Sequence, residues 1–547
     1  MSNIKALFTK WFDSDEDLIN LQTNHRQTGG EIFSDIVFFV VVTALVALVF
    51  NPVLFTGGDN AYYISLSHSI MKDHTYRARF LTDQHIETTI PPGFPILLIF
   101  VQVLFGDSLL AMKLFCLLSF IIALYFAHLI FLQFGLKRYL TYPIVLFMAL
   151  HPLINEYSRY TLTEAPFMAF SFAGFYFLER YIRSEKDWKG MILPGFLLAF
   201  SVLIRIPAAA ILPAAFFYIW LRKGLKKSLT FTAVATVVLL PWIIWMFAAP
   251  GGDSFFYLNN FTKENTQLAD SGDMTTSTLL SRIPKNHSKY LFTHFPHMLF
   301  AQIAYRETPQ WLEVTVGAIA GLLILIGLLH ALKQRQYFIL FYLLIYGVIL
   351  TFNHTARLRY LITILPFIYL LFFFAFREIF SLFGKPRVAK SAMLTLVTLL
   401  TVFAILQYRQ DVSINLKVLN HYSMGDKYAG LHPVWKNYIQ AAQWIRDNTD
   451  DDALVCARKP RISYLISGRK SRNFIYHDDP AKVVEDILAN DLDYIIVDRI
   501  RAETPTYLVP ALNSRNDLFE IKYKTDEPET YVIKVLEPTL SQDSLSN

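Results

Sequence analysis

Residues 35–63 read DIVFFVVVTALVALVFNPVLFTGGDNAYY, and this stretch decides the fold. From Asp35 to Phe50 only Asp35 and Thr43 are polar, a run of about the length that crosses a bilayer core as a helix. The run stops at Asn51-Pro52. A few residues later Gly57-Gly58-Asp59-Asn60 sets a carboxylate at the exit of the span. Charged groups placed this close to an apolar span are functional candidates by default.

The rest of the chain repeats the pattern. Its 547 residues are 54% hydrophobic, 15% aromatic and 17% charged, with 47 Phe. Soluble domains carry about 25% charged residues, so there is too little polar surface for a soluble enzyme of this size. A disordered chain is excluded on the same grounds. Cys116 and Cys456 sit in segments of different kind and give no disulfide framework. A net charge of +6 is too small to argue for nucleic acid. Residues 1–33 are polar and lack the apolar core and cleavage site of a removable signal peptide.

Further spans are expected near 108–134, 140–156, 164–182, 190–204, 206–221, 229–249, 311–332, 337–352, 358–376 and 391–407, about eleven in all. Lys/Arg clusters at 137–138, 180–189, 222–227, 333–335 and 377–390 all fall on one side if the N-terminus is cytoplasmic. Residues 190–221 then cross twice, turning at Arg205 on the outer side. The run PPGFPILLIFVQVLF at 91–105 is too short to span and reads as a re-entrant or interfacial helix. The sequence thus divides into a cytoplasmic segment (1–33), a mainly α polytopic bundle (34–407) with outer loops 51–107 and 250–310, and an outer domain (408–547). In that last part WKNYIQAAQWIRDN, DALVCARK, AKVVEDILAND and DYIIVDRI alternate helix and strand, as in a small α/β domain.

With this topology four polar sets meet at the outer face: Asp59 with Tyr62; Glu156, Arg159 and Glu164; Arg205; and His354, Arg357, Arg359 and Tyr360. Acids and arginines gathered at one interface suit an anionic head group on a lipid carrier. Each residue also has a plainer role open to it. Asp59 could cap the helix starting at Ala61, Glu164 could cap its own span or sit on its dipole, and Arg159 and Arg205 could snorkel to lipid head groups. His85 and Glu87 lie in a polar loop where solvation is the alternative to substrate contact. Tyr257, His287, His294 and His297 stand in the second outer loop. No phosphate-cradling GxxxxGK[ST] or zinc-binding HExxH is present.

In order along the chain, the Asp beyond the first span, the run Pro91-Pro-Gly-Phe-Pro-Ile-Leu-Leu98 and Ser158-Arg-Tyr-Thr-Leu-Thr-Glu-Ala-Pro-Phe167 resemble the GT-C membrane glycosyltransferases. Within them the likeness is to the branch of protein O-mannosyltransferases and the aminoarabinose transferase acting on lipid A. It runs from about Asp35 to Pro213, echoes in Arg359-Tyr360-Leu361, and extends to the tail at Asp452–Pro460. The resemblance implies a sugar donor on polyprenyl phosphate, Asp59 as catalytic acid of the first outer loop, Glu164 as a second acidic residue, and Arg159 and Arg205 as cations toward the substrate. Tyr62, His85, Glu87, Arg357, Arg359 and Tyr360 are expected to line the substrate site. Two departures stand out: Thr89-Ile90 precede the proline run where relatives often carry Glu or His, and Asn60 follows Asp59 where many O-mannosyltransferases pair two acids.

The chemistry fits these residue types. A carboxylate takes the proton of an acceptor hydroxyl as it attacks the anomeric carbon, an effect worth about 10²–10⁴-fold. Guanidinium groups meet the departing phosphate. A single displacement inverts the anomeric centre. The expected partners are the lipid-linked donor, membrane lipids and an acceptor glycan, lipid or protein. The expected place is a bacterial-type inner membrane with the C-terminal domain outside, and a divalent cation is left open. A flippase or transporter of lipid-linked sugars would bury its charges near the midplane within inverted repeats. An envelope polysaccharide polymerase or ligase would lack the acid after the first span. These are the two rival readings.

Overall fold

The computed structural model describes residues 28–536 except 84, 185–186, 251–272, 302, 304–307, 354 and 386–387. Tyr257 and His354 therefore lie outside the described residues. The segments expected to span are largely helical, with breaks at His151 within 140–156 and at Thr363-Ile364 within 358–376. The helices Gly29–Leu48, Leu109–Gln133, Leu225–Ala248, Gln310–Lys333, Leu365–Leu382 and Val388–Ser423, and the stretch Ile206–Lys223, are long and apolar enough to cross a membrane. The apolar helices Arg138–Leu150, Ile192–Ile204 and Tyr337–Phe352 are shorter. Glu164–Ile182 packs between Leu109–Gln133 and Ile192–Ile204. The chain is a multi-pass membrane protein.

Leu365–Leu382 is apolar on every side from Leu365 to Ala375 and is buried along that whole length, the position such a helix takes at the centre of a bundle. Its neighbour Gln310–Lys333 crosses it at Gly327, where a Cβ would come within 2.2 Å of the Leu371 carbonyl oxygen. Aromatic side chains fill the interior, among them Phe175 stacked on Phe338 at 4.4 Å between centroids. Offset ring pairs of this kind contribute beyond their buried area.

The 91–105 run is a helix from Gly93 to Phe105. Gly93 seats its first turn against the Leu203–Ile204 backbone, 2.5 Å from where a Cβ would lie, beside Arg205. The chain turns at Arg205 itself. Helix Ile192–Ile204 ends there in an extended residue (φ −152°, ψ 115°).

The C-terminal boundary differs from expectation. The last membrane helix does not stop at 407 but continues unbroken to Ser423, since 388–423 holds no Gly or Pro to end it. Loss of apolar character marks the end of the greasy stretch rather than the end of the helix, and the compact domain begins at Pro433. Its five-stranded sheet comprises β1 (Val455–Ala457), β2 (Ser471–Arg472), β3 (Tyr494–Val497), β4 (Phe519–Lys524) and β5 (Tyr531–Val535), in the order β2-β1-β3-β5-β4. The β2-β1-β3 pairs are parallel and the rest antiparallel. Alternation assigns the two faces. Val455, Ala457, Ile496 and Val532 meet the helix Pro433–Asn448, whereas Cys456, Ile495 and Ile533 meet Val483 and Ile487 of the helix Pro480–Ala489. Ala61, in the loop between the first two membrane helices, belongs to the former cluster. The domain is docked on that loop, with the Ser471 amide donating to the Phe80 carbonyl at 2.6 Å.

Candidate active site

The chain after the first span turns into a helix at Gly58, whose φ of +89° is open to glycine and costly for other residues. Gly58 occupies the cap position, so Asp59 is the first residue of the helix Asp59–Asp73 and caps nothing. Its carboxylate serves two arginines. Oδ2 accepts from Arg359 Nη1 at 3.2 Å, and Oδ1 accepts from Arg461 Nη1 at 3.3 Å. The Asp59 side chain remains 41% exposed.

Glu164 also opens a helix, Glu164–Ile182, and is wholly buried. Its Oε1 accepts from Arg205 Nη1 at 2.5 Å and lies 2.7 Å from Arg359 Nε. Arg205 further donates to Thr163 Oγ1 at 3.2 Å, and its guanidinium carbon sits 5.5 Å from the centre of the Tyr360 ring. Arg359 heads a short turn, Arg359–Ile362, which the Tyr346 hydroxyl fixes by donating to the Tyr360 carbonyl at 3.0 Å. The result is a continuous chain of charge: Arg461, Asp59, Arg359, Glu164, Arg205. In direct contact three guanidinium groups meet two carboxylates, and the Glu87 carboxylate acts on Arg461 from beyond that chain of contacts. Such a centre attracts an anion.

Aromatic rings wall it. Burial beside Asp59 and Glu164 pushes the Tyr63 hydroxyl up to about 12, so it is a neutral donor at physiological pH. Tyr62 gives its hydroxyl to Glu87 and its ring face to Arg461. Glu87 is not solvated; it acts electrostatically on Arg461 and makes no ion pair among the described residues. It is buried, with Oε1 accepting from the amides of Thr89 and Ile90 at 2.6 and 2.9 Å, and thereby fixes the turn into the proline run. Asn60, in place of a second acid, is buried with neither amide atom bonded to protein.

The remaining expected residues divide. Arg159 donates to the Val49 carbonyl at 3.3 Å and lines, with Glu156, Asn51 and Asp411, a separate polar cavity of about 420 Å³. The His85 imidazole lies 3.7 Å from Asp83 in a contact of its own. Arg357 donates from its amide to the Tyr290 hydroxyl and from Nε to Thr355. His294 faces the Ala356 carbonyl, and His297 lies 3.6 Å from Glu313. Among the described residues no group of three or more His, Cys, Asp or Glu is placed to hold a metal ion.

Arg461 is the residue that sequence reading passes over. It sits among Arg458, Lys459, Arg469, Lys470 and Arg472, a run that reads as one solvated basic face. The fold breaks up that run. Arg458 is buried against Glu503 at 2.9 Å, and Arg469 donates to the Thr449 carbonyl at 2.7 Å. Arg461 and Tyr464 share one side of the helix Pro460–Ser467, and Tyr464 packs with Tyr62, Phe80 and Trp242 of the membrane domain. Of the six basic residues Arg461 alone lies within the helix Pro460–Ser467, three residues before Tyr464 and on its side. Burial lowers the pKa of its guanidinium and Asp59 opposes the shift; an arginine stays charged at neutral pH in either case.

A family model described as dolichyl-phosphate-mannose-protein mannosyltransferase matches residues 89–245, the segment that carries Glu164 and Arg205. No curated protein matches the sequence. The fold superposes on the archaeal oligosaccharyltransferase AglB of Archaeoglobus fulgidus, solved with an inhibitory peptide and a dolichol phosphate. The TM-score is 0.58 at 12% identity, over 94% of this chain and 76% of that one. It also superposes on ArnT of Cupriavidus metallidurans bound to undecaprenyl phosphate, with TM-score 0.53 at 10% identity, over 92% and 98% of the two chains. The chain has the GT-C fold of membrane glycosyltransferases. It resembles the O-mannosyltransferase and aminoarabinose-transferase branch, as the motifs from Asp59 to Glu164 imply.

Proposed function

We propose that this protein is an inverting glycosyltransferase that moves a sugar from a polyprenyl-phosphate carrier to an acceptor hydroxyl at the extracytoplasmic face of a bacterial-type inner membrane. The observation that carries the reading is the chain from Arg461 to Arg205. A half-exposed carboxylate opens onto a centre where arginines outnumber the acids in direct contact with them, at the end of a bundle that a lipid-borne donor can approach from the bilayer. Two structural neighbours, solved with dolichol phosphate and undecaprenyl phosphate, support a carrier of the same chemistry.

In the reaction the acceptor oxygen attacks the anomeric carbon from the face opposite the phosphate. Its proton passes to Asp59, a step worth about 10²–10⁴-fold. The bond between the anomeric carbon and the phosphate oxygen breaks, and its electron pair leaves as the polyprenyl phosphate dianion. Guanidinium groups, which bind phosphate in bidentate fashion and never deprotonate, stabilise that charge as it grows. Glu164 is a positioning residue here: it holds Arg359 between the two acids and Arg205 at the end of the chain of charge.

The test is sugar transfer by purified protein in lipid, from a panel of polyprenyl-phosphate sugars to an envelope extract, for wild type and Asp59→Asn. Transfer by wild type and at least about a hundredfold less by the variant are expected. Equal turnover by both would remove Asp59 as base. Donor binding without transfer by either would leave a carrier of lipid-linked sugars instead.

A further inference from the structure

We infer that the C-terminal domain completes the active centre, and that its Arg461 receives the anionic phosphate of the incoming lipid-linked donor, uncovering Asp59 as it does so. The inference rests on the glycosyltransferase reading above. Among the three arginines of the centre, Arg205 and Arg359 are both committed to Glu164 and their side chains are 6% and 22% exposed. Arg461 is 36% exposed and reaches the centre from another domain. Its guanidinium carbon lies 4.1 Å from the centre of the Tyr62 ring and 5.7 Å from that of Phe80. This cradle fixes the plane of the group by cation–π contact while its edge points to Asp59.

The contact with Asp59 is a weak use of that edge. It is one N–H to one oxygen at 3.3 Å, to a carboxylate already shared with Arg359. A guanidinium is shaped for two parallel bonds to a phosphate, and charge-assisted bidentate pairs are the stronger ones. A phosphate entering the centre therefore draws Arg461 from Asp59. Two consequences follow together: the donor's charge is met, and Asp59 Oδ1 is freed to accept the acceptor's proton. Docking of the C-terminal domain on the loop between the first two membrane helices through Tyr464 and Ser471 holds Arg461 in place for this exchange.

Binding of undecaprenyl phosphate, and separately of uncharged undecaprenol, would be measured on the full chain in lipid nanodiscs for wild type, Arg461→Met and Arg461→Lys. Met keeps the packing on Tyr62 without the charge, and Lys keeps the charge without the fork. Arg461→Met is expected to weaken undecaprenyl phosphate at least about tenfold and undecaprenol less than about twofold, with Lys recovering part of the loss. An unchanged preference for the phosphate in Arg461→Met, in a protein that still transfers sugar, overturns this inference and leaves the glycosyltransferase reading intact. Equal loss of both lipids also overturns it, because Arg461 then acts through docking alone. A wild type that neither prefers the phosphate nor transfers sugar sinks both.

Discussion

The bundle carries a charged cluster at each end, and the two are built differently. Near the start of the first membrane helix Arg138 grips Asp35 with both Nε and Nη2, each at 3.0 Å, and Glu31 with Nη1 at 2.7 Å. The Tyr142 hydroxyl donates to Asp35 at 2.6 Å, and His128, itself 2.8 Å from Thr141, closes to 3.2 Å. Every group there comes from three neighbouring helices, and Asp35 is almost fully buried. At the other end the cations outnumber the acids in direct contact with them, Asp59 is half-exposed, and one arginine arrives from a second domain. The first arrangement pairs its acids with a guanidinium and a hydroxyl and fastens helices together. The second leaves charge and an open edge over, which is what a binding site for an anion requires.

The largest effect expected is at Glu164. Its removal leaves Arg205 buried without its counter-charge, a loss of about 3–5 kcal/mol for pairs of this kind. Glu164→Ala is expected to show the steepest fall in thermal midpoint in detergent of the variants described here and to abolish transfer. A variant as stable as wild type would show that the cluster is not strained by losing an acid, and would break the picture of Glu164 as its centre.

Asp35→Asn sharpens the contrast from the other end. It weakens the bidentate grip of Arg138, so the thermal midpoint drops, by an amount corresponding to about 1–3 kcal/mol. Transfer per folded molecule is expected to stay within about twofold of wild type. A loss comparable to that of Asp59→Asn would mean that the two ends are coupled, and that the division into fastening and binding clusters is wrong.

Much of this was legible in the sequence because bilayer physics constrains it. Apolar runs of fixed length, a turn at Arg205 forced by flanking basic loops, and acids placed at span exits left few ways to thread the chain. That reasoning brings Asp59, Glu164, Arg205 and Arg359 to one depth, and the fold joins them in one cluster. It fails where depth is not enough. Arg159 is at the same level, but the helix Val388–Ser423 extends past the apolar stretch and closes it into a neighbouring cavity with Asp411. Glu87 reads as a loop residue, yet three local donors bury it. Arg461 reads as one of six basic residues, because sequence distance hides that the tail folds back 402 residues to meet Asp59.

The smallest effect belongs to a pair that resembles Arg461–Asp59 in sequence context and differs in surroundings. Arg458, three residues earlier, holds the Glu503 carboxyl below the usual carboxylate range through a hydrogen bond. A carboxyl whose pKa is lowered on folding stabilises the fold above its unfolded pKa of about 4.3, and that contribution is lost as the pH falls through the folded value. Glu503→Gln should therefore lower the stability of the C-terminal domain by under about 1 kcal/mol at pH 7, since Glu503 is 29% exposed and such pairs are screened. The gap between variant and wild type should close in thermal melts below about pH 4. Phosphate-lipid binding should be untouched, because Arg458 is paired with Glu503 within its own domain. If Glu503→Gln weakened that binding as Arg461→Met is expected to, the basic run would act as a single patch, and the separation of Arg461 from its neighbours would not hold.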